Sequence, residues 1–74
     1  MEYKVGKRNH VRLDVYNILG KKVKSLVEEV HENGNHYTKW DGNNGLNKPV
    51  PSGAYFLSMQ SGEYHMIKKI TLIK

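Results

Sequence analysis

The chain has 74 residues, no cysteine, 12 lysines and arginines against 7 aspartates and glutamates, and an apolar fraction of 38%. That length supports one domain with a single thin core, and the lack of cysteine excludes a disulfide scaffold, a thiolate nucleophile, a Cys-based zinc site and an iron–sulfur cluster. A core of this size supplies only ~3–5 kcal/mol, so nearly every large apolar side chain is committed to folding and few remain to line an enzyme pocket.

Strand signals dominate in chain order. Glu2 to Val5 reads as a partial first strand, a stub of the kind truncation leaves. Val11, Leu13 and Val15 alternate with Arg12 and Asp14, the period-2 pattern of a strand with one buried face, over His10 to Tyr16. Asn17-Ile18-Leu19-Gly20 follows as a tight reversal in which Gly20 takes a positive φ. Lys22 to Val30 carries Val23, Leu26, Val27 and Val30, a spacing that fits a helix as well as an irregular strand. Its valines and missing N-cap select a strand with a bulge.

The polar stretch His31-Glu32-Asn33-Gly34-Asn35 is a turn. Beyond it His36, Thr38 and Trp40 share one face of a short strand, with Trp40 as the core anchor. Asp41 to Gly53 packs three glycines, three asparagines and both prolines into a long ordered loop. Tyr55 to Gln60 and Tyr64 to Ile73 then form two strands joined at Ser61-Gly62, the second with a bulge because Ile67 is out of phase with Ile70 and Leu72. Six strand candidates and no helix predict a small all-β sandwich or barrel. The apolar runs are far too short to span a bilayer, and the first residues lack the apolar middle of a signal peptide. The expectation is either a cytoplasmic protein or a fragment cut from a longer chain.

Candidate chemistry is sparse. Of the four histidines, His31 and His36 flank a turn and could chelate a metal, but His10, His31, His36 and His65 are read as solvated residues at strand ends. Glu28, Glu29 and Glu32 read as a solvated face. Asp41-Gly42-Asn43-Asn44-Gly45 has the look of a calcium loop with a single carboxylate, and an Asx turn is the preferred reading. No catalytic, cofactor or metal residues are expected. The formal charge of +5 would attract a polyanion. The aromatics lack the clustering that stacks bases, however, and Tyr55-Phe56 must face opposite ways. Nucleic acid is therefore not an expected partner.

Val11 to Val23 with its YNILG turn, Gly34 to Gly42 ending in WDG, Val50 to Phe56 with PSGAYF, and the closing Lys68 to Lys74 together resemble the C-terminal sorting domain of type IX secretion cargo proteins. They also resemble the closely similar immunoglobulin-like module of the flagellar hook-capping protein. The resemblance implies a single small antiparallel Ig-like β-sandwich of six to seven strands spanning 1–74, the C-terminal fragment of a longer secreted or cell-surface protein of Bacteroidetes-like bacteria. It further implies a non-catalytic address read by outer-membrane secretion machinery, with cargo N-terminal in the same chain. The alternative is an accessory structural module, hook-cap-like or binding glycans or polyanions. Gly20, Gly34, Trp40, Asp41, Gly42, Gly53 and Tyr55 are the structural motif residues, and Lys68, Lys69 and Lys74 the candidate recognition residues. Exposed sheet edges would permit weak self-association, which the scattered lysines discourage.

Overall fold

A computed structural model describes residues 2–74. It contains six strands: β1 (Glu2–Val5), β2 (Asn9–Tyr16), β3 (Lys22–His31), β4 (Gly34–Tyr37), β5 (Gly53–Ser61) and β6 (Tyr64–Leu72). Every pairing is antiparallel. A four-stranded sheet has the order β3-β2-β5-β6, and a two-stranded sheet pairs β1 with β4. There is no helix among the described residues. The fold is a small Ig-like β-sandwich.

Alternation builds the core. Val11, Leu13 and Val15 on β2 and Tyr55, Leu57 and Met59 on β5 turn to one face of the larger sheet, where all six are buried. Tyr3 and Val5 of β1 join the same cluster from the smaller sheet. The first strand is therefore an integral part of the sandwich. On the opposite face of β2, Asp14 is buried beneath two cations, with Arg12 Nε donating at 2.7 Å and Lys22 Nζ at 3.6 Å from its other oxygen. That second oxygen has no hydrogen bond, so Lys22 compensates it by charge alone.

The β3 segment shows why its sequence reads ambiguously. Its register with β2 slips twice, passing from Val27 to Ser25 and from Lys24 to Lys22. Each slip leaves one extra residue, Leu26 and Val23, unpaired in the ladder. The two bulges let Val23, Leu26 and Val27 all pack against the core. This converts a period of three and four into a strand that is buried on one side.

Three expectations are corrected. β6 pairs with β5 without any slip. Ile67 is out of phase because it lies on the outer face opposite Ser58, 61% exposed. The β5–β6 reversal uses Gly62-Glu63 rather than Ser61-Gly62, with φ of +61° at Gly62, as expected where glycine occupies the first central position of a two-residue hairpin. β4 ends at Tyr37, so Trp40 lies beyond the strand and is only partly buried against the core. The fully buried anchors are Leu13, Met59, Val5, Val11 and Val15.

Leu13→Ala should cost about 3 kcal/mol. That is most of the stability available to so small a domain. Val30→Ala, at a position 54% exposed, should stay within about 0.5 kcal/mol. Urea unfolding followed by circular dichroism separates the two, and equal losses would contradict this core.

Candidate recognition site

The β2–β3 connection is built around Asn17. Its backbone N–H donates to Lys21 O at 2.9 Å, and Gly20 N–H donates to Asn17 O at 3.0 Å. The Asn17 side-chain oxygen accepts from the N–H groups of Leu19 and Lys21, each at 3.0 Å. Gly20 closes the turn at a φ of +82°. With the backbone satisfied by one side chain, nothing pulls the intervening residues inward. Ile18 is 69% exposed and Leu19 88% exposed.

The loop between β4 and β5 is ordered in the same way, by short polar side chains closing on backbone. Asp41 Oδ1 accepts from Asn43 N–H at 2.9 Å, which makes an Asx turn. Asn44 Oδ1 accepts from Leu46 and Lys48 N–H groups, and Asn43 bridges to Pro49. The indole N–H of Trp40 donates to Asn43 O at 2.9 Å. Its ring meets Tyr55 edge-on with centroids 5.0 Å apart, and the Tyr55 hydroxyl donates to Pro51 O at 2.6 Å. The Asn43 N–H holds the Asp41 carboxyl below the usual carboxylate range; partial desolvation works against this, and Lys24, 3.5 Å away, reinforces it.

Hydrogen bonds and register gather these segments at one end of the sandwich. Gly45 N–H donates to Val23 O at 3.0 Å, tying the loop to the start of β3 beside the turn. Gly53 opens β5 opposite Leu72 with a φ of +153°, a backbone that side-chain-bearing residues rarely adopt. Gly42 is buried at a φ of +79°. A β-carbon there would sit 3.4 Å from Leu72 Cδ1, so the closing strand packs directly onto the loop. A shallow apolar groove lined by Tyr16, Gly20, Phe56, Ser58, His65 and Ile67 runs over the outer face from the turn.

A tight β2–β3 turn, an Asx-turned loop behind the Trp and a glycine-led β5, all on one small sandwich, make a recognisable set. The family model of the FlgD Ig-like domain matches residues 6–64. The chain belongs to the FlgD Ig-like domain family. Neither a search of curated proteins nor a search of solved structures returns a match. In this FlgD Ig-like domain the matched stretch contains the turn, the loop and all of β5, and it ends as β6 begins.

Lys68, Lys69 and Lys74 therefore lie beyond the matched residues, and they do not make one patch. Lys68 pairs with Leu57 and Lys69 with Phe56, so they point to opposite faces of β6. Lys74 lies past the strand, its N–H donating to Ser52 Oγ at 3.1 Å. Gly34, at a φ of +128°, opens β4 opposite Val5 at the other end of the FlgD Ig-like domain. Ile18 and Leu19 were legible only as turn residues. The signal that marks them is two large apolar side chains inside a turn whose backbone Asn17 and Gly20 already close.

The reading of His31 and His36 as solvated is overturned. They touch through their Nδ1 atoms at 2.9 Å, and both are partly buried. Two residues separate β3 from β4, and the chain changes sheets across them, which brings the two rings together nearly perpendicular, with Nδ1 against Nδ1.

The depressed Asp41 pKa gives a sign for the pH dependence. A carboxyl whose folded pKa lies below its unfolded value stabilises the FlgD Ig-like domain above about pH 4. That stabilisation is lost as pH falls through the folded value. Asp41→Asn should thus lower Tm near neutrality, with the difference shrinking on acidification below about pH 4. Thermal melts of both proteins from acid to neutral pH check this, and a gap that widens in acid would refute it.

Proposed function

We propose that this FlgD Ig-like domain is a non-catalytic, C-terminal targeting module that type IX secretion machinery reads to direct an attached N-terminal cargo across the outer membrane to the cell surface or medium. The observation that carries the reading is the exposure of Ile18 and Leu19. Both belong to the YNILG segment that carries the likeness to sorting domains, yet neither contributes to the core. In a domain short of apolar burial, displaying two such side chains side by side costs solubility and gains nothing for folding. A docking partner that covers them accounts for that cost.

The chemistry of the site favours recognition over reaction. Among the described residues no group of three or more His, Asp and Glu is arranged to hold a metal. The one carboxylate of the loop is engaged by Asn43 and Lys24. What the end of the sandwich offers a partner is an apolar knob beside an apolar groove, with Lys21 and Lys22 flanking it.

A second reading has its own support. The family match is to the hook-cap type of Ig-like domain, whose architecture serves equally well as a structural accessory module. In that role the exposed turn would pack against a neighbouring domain of the same protein rather than against secretion machinery.

Fusing the whole chain behind a reporter in a type IX-competent host should place the reporter on the surface or in the medium. Ile18→Asp with Leu19→Asp should block export while leaving the circular dichroism melt unchanged, because both sites are outside the core. Reporter held in the periplasm by a folded wild-type domain would sink the sorting reading. The structural reading predicts that outcome.

A further inference from the structure

At the end of the sandwich remote from the turn, three rings meet across the gap between the sheets. Tyr3 of β1 stacks on His36 of β4, with centroids 5.7 Å apart and planes 22° apart, and meets His31 of β3 edge-on at 5.8 Å. The two imidazoles are 4.2 Å apart, near perpendicular, with Nδ1 facing Nδ1 at 2.9 Å. The remaining ring nitrogens are both occupied. His36 Nε2 donates to Glu32 O at 2.8 Å. His31 Nε2 lies 3.3 Å from Glu29 Oε1 and 3.4 Å from the Tyr3 hydroxyl.

Two histidines with their outer nitrogens held by a carbonyl and a carboxylate, and their inner nitrogens converging, have the arrangement that orients imidazoles for a metal. The geometry points to a divalent transition-metal site at His31 Nδ1 and His36 Nδ1, suited to Cu(II) or Ni(II) ahead of Zn(II). The 2.9 Å between the two Nδ1 atoms is the hydrogen bond of the metal-free pair, and the ion class follows from the donors instead. Imidazole nitrogen suits copper and nickel, and copper heads the affinity order. Water completes the coordination, since the Glu32 carboxylate is held by Arg8 Nε at 2.9 Å.

Proton positions follow from the same contacts. In the metal-free neutral pair, His36 carries its proton on Nε2, so His31 must carry its own on Nδ1 and donate it to His36. Binding requires that the His31 proton leave Nδ1 and settle on Nε2, facing Glu29. The proton count of the neutral pair is unchanged, and both rings must turn so that their lone pairs meet one ion. The bound ion joins β3 to β4 and so fastens one sheet to the other.

The test is a titration of the chain with Cu(II), followed by calorimetry and by paramagnetic broadening of the histidine ring resonances. Saturation at one ion per chain is expected, with His31 and His36 broadened before His10 and His65, and with a higher Tm because the ion binds only the folded chain. Glu29→Gln, at an exposed site that does not support the core, should weaken binding about tenfold. His36→Gln should weaken it further, whereas His10→Gln with His65→Gln should leave it unchanged. Broadening confined to His10, His65 or the chain terminus, or affinity that Glu29→Gln and His36→Gln leave intact, would overturn the assignment. Should His36→Gln fail to fold, Glu29→Gln and the wild-type broadening pattern decide.

Discussion

Val11, Leu13 and Val15 are essentially without solvent contact, and keeping water off these three side chains places every other element. β2 carries them in the interior of the larger sheet, flanked by β3 and β5. β5 supplies the matching row of Tyr55, Leu57 and Met59, and the two-stranded sheet covers the cluster with Tyr3 and Val5. With so few core residues there is no redundancy. Both sheets are required, and the turns at their ends are the parts left free to vary in what they present.

The all-β sandwich was legible because burial on one face imposes a period of two, and the apolar residues of β2, Val11, Leu13 and Val15, obey it. Legibility failed where a strand answers to something besides the core. β3 inserts two extra residues to bring Val23, Leu26 and Val27 inward together, so its pattern resembles a helix. β6 carries an apolar residue on each face, Ile67 outside toward the groove and Ile70 inside opposite Tyr55, and this double allegiance imitates a bulge in the sequence. Trp40 looked like the anchor of the core because it is the largest apolar residue. The chain has already left β4 at that point, and the ring stands at the rim between Asn43 and Tyr55. The contact between His31 and His36 depends on the chain changing sheets within two residues, a three-dimensional event with no local periodicity to announce it.

The two free edges of the larger sheet are protected differently. β3 is bulged twice, which twists its outer backbone away from the flat template that a second copy would need. β6 is regular over nine residues, and its exposed edge is guarded by charge, with Lys68 and Lys69 alternating across it. The lysines of the last strand thus have a physical role that does not require a receptor. The turn at Ile18 and Leu19 has no comparable structural purpose.

That turn is fixed from within by Asn17, whose single side-chain oxygen receives two backbone N–H groups. A partner that covers Ile18 and Leu19 meets a backbone already in its final conformation. The entropic charge for ordering a loop at the moment of contact is then small, and more of the gain from desolvating two aliphatic side chains is expressed as affinity. A partner docking on this turn would therefore bind more tightly than the small area alone suggests, without any flexible segment having to fold onto it.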